Sequence, residues 1–251
     1  MSHGPIAIFV CGTTVPPVKE RRGDFADWFR SGLGLDPAGV LVVDVEGGEA
    51  LPAVEQLSGC VVTGSSAMVT DGLAWSLAME RWLTAAHGRG LPILGVCYGH
   101  QALARALGGA ADWNPAGREV GAVALDLLEA AEDDALLGDF SGPLIAQESH
   151  SQSVTELPPG AILLARSELD PHQAFRVGAS TWGLQFHPEF DADITRGYLE
   201  HRRESIEAEG IDVGALLERL RDDDRATQIL ARFRAVALGR DLGANQAQGA
   251  H

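Results

Sequence analysis

Along this chain, short apolar runs alternate with longer segments of helical period. Ile6-Ala7-Ile8-Phe9-Val10, Val40-Leu41-Val42-Val43-Asp44-Val45, Gly59-Cys60-Val61-Val62-Thr63 and Ile93-Leu94-Gly95-Val96 have the length and composition of strands covered on both faces. A helix is predicted from Asp24-Phe25-Ala26-Asp27-Trp28-Phe29 to Gly32 or Gly34, and a long amphipathic one from about Ala74 to His87. Cys11 to Pro17 is expected to be loop, since it holds a glycine and two prolines. Four strands alternating with helices imply a parallel sheet with right-handed crossovers, an α/β fold.

After Gly109 the pattern changes. Val120 to Leu125, Leu144 to Gln147, Ala161 to Ala165, Ala174 to Val177 and Thr181 to Phe186 read as strands without long helices between them. They are expected to be antiparallel additions that finish the sheet. Past Phe190 the period is helical to about Leu238, with Arg202-Arg203-Glu204 and Asp222-Asp223-Asp224-Arg225 read as solvated faces and turns. The tail from Gly239 to His251 is small and polar and is expected to be disordered. Nothing divides the chain cleanly. Residues 1–238 are therefore expected to form one domain, with 191–238 a helical extension.

Composition narrows the classes of function. A chain of 251 residues, 45% hydrophobic and 22% charged, suits a soluble globular protein with a sizeable core. No apolar run approaches the ~20 residues of a membrane span. The opening Met1-Ser2-His3-Gly4-Pro5 lacks the regions of a signal peptide, so a cytoplasmic location is expected. A net charge of −16 argues against nucleic acid and anionic membranes as partners, because both need clustered Lys and Arg. Cys11, Cys60 and Cys97 have no metal-site or disulfide spacing. Cys11 and Cys60, at the ends of apolar runs, read as buried structural thiols.

Cys97 is different. It stands between the strand ending at Val96 and a helix carrying Ala102, Leu103, Ala106 and Leu107 at helical spacing, with Gly108-Gly109 as the stop. Gly95-Val96-Cys97-Tyr98-Gly99 has the spacing of a nucleophile elbow, where larger side chains would collide with neighbouring backbone. The helix N-terminus favours thiolate over thiol. Such a nucleophile needs a base and a group to orient that base. Gln185-Phe186-His187-Pro188-Glu189 places His187 and Glu189 two residues apart on an extended segment, hence on one face, and Pro188 stiffens the link. An oxyanion site needs backbone N–H groups: Tyr98 supplies one candidate, and Thr63-Gly64-Ser65-Ser66 after the third strand another. His150 and His100 are candidates to line the site, packing or solvent being the alternative for His100. His3, His87, His172, His201 and His251 read as surface positions.

These motifs together resemble the class I glutamine amidotransferases in order, spacing and context. The resemblance runs from about Ile6 to Phe190. It is strongest to stand-alone members related to the amidotransferase domain of guanosine monophosphate synthetase, with Gly23-Asp24-Phe25, Trp75 and Ile229-Leu230-Ala231-Arg232-Phe233 supporting that placement. It implies a three-layer, flavodoxin-like sandwich with a mostly parallel central sheet, extra antiparallel strands and C-terminal helices. It also implies a mechanism. Cys97 attacks the side-chain amide of glutamine, and the N–H groups of Tyr98 and Ser65, with Gly64 beside them, hold the oxyanion. His187, oriented by Glu189, protonates the departing ammonia and then activates water against the glutamyl thioester. Gln101, His150, Ser151, Gln152 and Ser153 line the substrate's amino-acid end, and no cofactor or metal is required.

Two departures stand out. Ser65 and Ser66 occupy positions where many relatives carry a glycine and a proline, and Gln152 stands where an aspartate is common among the synthetase-like members. The second change points away from free glutamine and leaves a γ-glutamyl peptide or conjugate hydrolase as an alternative. A non-catalytic regulatory protein is the third reading, disfavoured by the intact Cys97, His187 and Glu189. The chain ends without a synthetase domain, so an amidotransferase of this kind is expected to pass ammonia to a separate synthetase protein.

Overall fold

The computed structural model describes residues 4–239; the expected tail from residue 240 onward, with His3 and His251, lies outside the described residues. The elements are, in order, β1 (Ile6–Val10), α1 (Pro16–Arg22), α2 (Phe25–Gly32), β2 (Val40–Asp44), β3 (Gly59–Val62), α3 (Ala74–Gly88), β4 (Ile93–Val96), α4 (Tyr98–Ala106), β5 (Ala110–Trp113) and β6 (Glu119–Leu127). There follow β7 (Leu144–His150), β8 (Gln152–Glu156), β9 (Ala161–Arg166), β10 (Ala174–Val177), β11 (Thr181–Leu184), α5 (Ala192–His201), α6 (Arg203–Ala208), α7 (Val213–Arg219) and α8 (Asp224–Ala237).

Nine strands form one sheet in the order β2-β1-β3-β4-β11-β10-β9-β6-β7, and β5 and β8 pair separately. The first five strands are parallel. Strand alternation sends Ile6 and Ile8 to one face, where they join Phe29, Trp182 and Phe233, and Ala7 and Phe9 to the other, with Met79, Leu83 and Leu103. Both faces are therefore apolar, which is why these strands read as unbroken hydrophobic runs. Each fully buried Ile, Leu or Phe contributes about 1.5–3 kcal/mol. The α/β sandwich with its mostly parallel sheet core, antiparallel additions and terminal helices is the fold expected from the sequence.

Several local expectations are corrected. Pro16 and Pro17 do not prolong a loop; they open α1, where a missing N–H costs nothing. β2 and β3 are joined by a single 3-10 turn, Val54–Gln56, and not by an α-helix. β11 is not an antiparallel addition to the parallel block: it pairs parallel to β4 and antiparallel only to β10. The strand expected to end at Gln147 continues as β7 to His150, and β8 starts at Gln152. Asp223 is more than a solvated turn residue. It caps α8, accepts from the backbone N–H of Ile145 at 3.1 Å, and holds Arg225 at 2.6 Å.

Candidate active site

The C-terminal ends of β3, β4 and β11 converge where the sheet meets α4. Cys97 joins β4 to α4 with φ 53° and ψ −105°, a left-handed conformation that costs a side-chain-bearing residue about 1–3 kcal/mol. The flanking glycines make this corner sterically possible. A Cβ on Gly95 would land on the carbonyl oxygen of Gly99, and one on Gly99 would land on that of Val62. The Cys97 backbone N–H donates to the Leu184 carbonyl at 2.8 Å, which locks the elbow to β11.

β11 then delivers His187. Its Nδ1 lies 2.7 Å from Glu189 Oε1; a carboxylate only accepts, so Nδ1 carries the proton. The imidazole stacks on Phe190 with centroids 4.0 Å apart, and Phe25 lies nearly parallel to it at 6.5 Å. Both members of the His187–Glu189 pair have almost completely buried side chains. Burial works to lower the His187 pKa, but the negative charges of Glu189 and Cys97, with hydrogen bonds to both, push it up to about 10. Gly64 packs against this site: a Cβ there would sit 3.0 Å from His187 Cε1 and 3.7 Å from Cys97 Cβ.

A cavity of about 250 Å³ opens over the thiol, and Ser65, Tyr98, Gln101, His150, Ser151 and Gln152 all line it. Among the described residues no backbone carbonyl accepts from the N–H of Tyr98 or of Ser65. The Ser65 hydroxyl accepts from Ala67 N–H at 3.0 Å, which shapes this loop without a second glycine. Gln101 donates to the Gln152 carbonyl at 2.7 Å, and His150 Nδ1 meets the same oxygen at 2.9 Å. The Gln152 side chain turns away, accepting from Val69 N–H at 3.0 Å and donating to Thr70 at 2.6 Å. Ser153 departs from expectation: it is buried in β8 opposite Asp112 and does not line the cavity. A second, smaller chamber of about 20 Å³ shares Ser65, Ser66, Cys97, Ser149 and Arg202 with the first and is also bounded by Thr13, Phe25, His187 and Tyr198.

His100 does not line the site. It is buried against Phe175, and burial pushes its pKa down to about 3, so it is neutral. His172 and His87 are not free surface groups either: they hydrogen-bond to the Val154 carbonyl at 2.6 Å and to Thr181 at 2.9 Å. Cys11 and Cys60 are fully buried, and burial pushes both thiols up, away from reactivity.

Behind the cavity, Glu119, Glu148 and His150 each offer an atom within 4.8 Å of the others, the geometry of a potential metal site. His150 Nε2 is hydrogen-bonded to Glu119 at 3.2 Å and lies 3.4 Å from Glu148, whose two buried oxygens have no hydrogen-bond partner among the described residues. Burial first, then the Glu119 and Asp170 charges, push the Glu148 carboxyl well above the usual carboxylate range.

The sequence pattern does not point to Arg118 or Arg202, which both line the large cavity. The expectation of a solvated face at Arg202 is corrected: its guanidinium lies over the Tyr198 ring at 5.0 Å and reaches Ser149 Oγ at 3.4 Å. No local pattern could reveal this, because the contact depends on α5 packing beside β7.

The chain is an α/β protein with a buried thiol at a strand–helix corner and a buried imidazole–carboxylate pair just past the end of the adjoining strand. A model of the glutamine amidotransferase class-I family matches residues 48–201, and the chain belongs to that family. Among curated relatives, the glutamine-hydrolyzing GMP synthase of Porphyromonas gingivalis is 38% identical over 132 residues, 52% of this chain and 24% of that one. A protein named as one subunit of the glutamine-hydrolyzing GMP synthase of Thermococcus kodakarensis is 40% identical over 117 residues, 44% of this chain and 60% of that one. The chain thus matches less than two thirds of either relative. A solved glutamine amidotransferase from Thermotoga maritima superposes with TM-score 0.73 at 22% identity, covering 94% of this chain and 99% of that one, and shares the fold. One from Methylobacillus flagellatus superposes with TM-score 0.72 at 25% identity, covering 95% of each chain. Among the described residues no helix is long and apolar enough to cross a membrane.

Proposed function

We propose that this amidotransferase hydrolyses the side-chain amide of glutamine through a glutamyl thioester on Cys97. The observation that carries the proposal is an elbow cysteine that lines both the cavity and the smaller chamber bounded by His187, together with the His187–Glu189 pair at 2.7 Å and the N–H groups of Tyr98 and Ser65, from which no carbonyl accepts among the described residues. Cys97 attacks the amide carbon, and the oxyanion sits between the Tyr98 and Ser65 N–H groups, with Gly64 giving the close approach. The His187 imidazolium gives its proton to the amide nitrogen as the C–N bond breaks and ammonia leaves. The neutral imidazole then takes a proton from water, which attacks the thioester; glutamate departs and the thiolate returns. Glu189 holds Nδ1–H and stabilises the imidazolium. Gln101 and His150 meet at the Gln152 carbonyl and, with Ser151 beside them, shape the amino-acid end of the site.

The alternative, cleavage of γ-glutamyl peptides by the same groups, needs room for a large leaving amine. The chamber beside His187 holds about one water-sized molecule, which suits ammonia. Since relatives include proteins named as one subunit of a GMP synthase, ammonia from this chain is proposed to pass to a separate synthetase protein. The test is to incubate the protein and its Cys97→Ala variant with glutamine and with γ-glutamyl peptides, measuring ammonia and glutamate. Ammonia from glutamine alone supports the proposal, and peptide cleavage supports the alternative. Turnover of neither, even with cell extract to supply a partner, contradicts both.

A further inference from the structure

The charge lining the large cavity is one-sided. In a chain of net charge −16, two guanidinium groups, Arg118 and Arg202, face it and no carboxylate does. Arg202 is half-buried, and among the described residues no carboxylate pairs with it. Among those residues its guanidinium has one hydrogen bond, the 3.4 Å contact to Ser149, so most of its planar fork of donors is unused. Stacking on Tyr198 fixes the plane of that fork. Arg118 is held from behind by Glu209 at 2.7 Å, while its buried Nε has no partner. An unpaired N–H in a buried position costs free energy that a ligand acceptor would recover. Ser149 and Ser151 add hydroxyl groups to the same lining, while the Ser205 hydroxyl donates to the Arg202 carbonyl at 2.9 Å. An arginine fork of this kind matches a carboxylate bidentately. An ammonium group finds no anion here: the Gln152 side chain is committed to Val69 and Thr70, and Glu119 and Glu148 lie behind the wall.

We propose that Arg202, with Arg118 beside it, is the specificity determinant of the site and binds the α-carboxylate of the glutamyl substrate, while the α-amino group goes without a charged partner. The inference rests on the glutaminase reading above and sharpens it. The substrates become γ-amides with a free α-carboxylate, whether the α-nitrogen is free or acylated. Arg202 lies one residue beyond the segment 48–201 that matches the family, so this contribution comes from the boundary of the C-terminal helices.

Calorimetric titration of the Cys97→Ala protein separates the charges. The ligands are glutamine, Nα-acetylglutamine and the α-amide of glutamine. Binding of acetylglutamine within about tenfold of glutamine, with the α-amide weaker by about 10- to 100-fold, is expected. Adding Arg202→Gln should weaken glutamine and acetylglutamine by a similar factor and leave the α-amide unchanged, with Arg202→Lys in between. In the catalytically intact protein Arg202→Gln should raise KM and spare kcat. Equal binding of glutamine and its α-amide, or loss of binding on acetylation alone, overturns the proposal. So does an Arg202→Gln variant that weakens all three ligands alike. If that variant does not fold, the three ligands on the Cys97→Ala protein decide the matter alone. Failure of the glutaminase reading looks different: ligands bind in this order, but the intact protein releases no ammonia.

Discussion

Replacing Glu189 with Gln keeps the shape of the side chain and an oxygen opposite His187 Nδ1, 2.7 Å away, but removes the charge. The rise of the His187 pKa from 6.5 to about 10 corresponds to roughly 5 kcal/mol in favour of imidazolium, achieved against burial. A buried neighbouring charge supplies about 1–3 pH units of such a rise. His187 acts as an acid towards the leaving ammonia, so kcat/KM should fall as pH rises through its pKa, near 10 in the intact protein. In Glu189→Gln that alkaline limb should move down by about 1–3 pH units. Turnover below the limb should drop less than in His187→Ala, whose loss is about 10²- to 10⁴-fold. The assay is glutamate release from glutamine between about pH 6 and 11, with the limb assigned to the coupled Cys97–His187 pair. An alkaline limb that does not move, or equal losses in the two variants, would refute an orienting and charge-stabilising role for Glu189.

Other consequences concern stability. The Glu148 carboxyl titrates above its unfolded value, so the folded state binds the extra proton and stability falls as pH rises above about 4.5. Glu148→Gln removes that dependence. Its unfolding free energy, read from denaturant titrations, should overtake the parent's as pH rises, the gap growing by roughly 1.4 kcal/mol per pH unit until the folded pKa is passed; a constant gap would contradict this. Gly99→Ala forces a methyl group onto the Val62 backbone and should cost about 1–3 kcal/mol or more, with turnover falling about 10²-fold as the elbow shifts. Gly88→Ala, which meets nothing within 4 Å, is the control and should leave activity intact with unchanged or slightly higher thermal stability.

How much the sequence disclosed depended on the range of the forces involved. β1, β3 and β4 were legible because burial on both faces leaves an unbroken apolar signal in consecutive residues. Gly95 and Gly99 were legible because a sharp turn and close backbone contact exclude a Cβ. His187 and Glu189 were legible as a closely spaced pair, but not for the reason of strand period: β11 ends at Leu184, and a turn closed by Phe190 N–H on the His187 carbonyl at 3.3 Å brings them together. β5 and β8 left no such trace: Ala110–Trp113 is short and half-exposed, and Gln152–Glu156 is polar, so their pairing is a tertiary event. The same holds for Gln152, whose side chain is spent on Val69 and Thr70, and for Arg118 and Arg202, which meet only when β6 and α5 close over the cavity. Pro16 and Pro17 misled for another reason, since proline stops a helix from within but starts one from outside.

The central claim is that Cys97 becomes acylated. Rapid acid quench of the protein with glutamine, followed by intact-mass measurement and peptide mapping, tests it directly. A glutamyl adduct on the peptide containing Cys97, with Cys11 and Cys60 unmodified and no adduct in Cys97→Ala, is the predicted result. No adduct, together with equal ammonia release by Cys97→Ala, would contradict it.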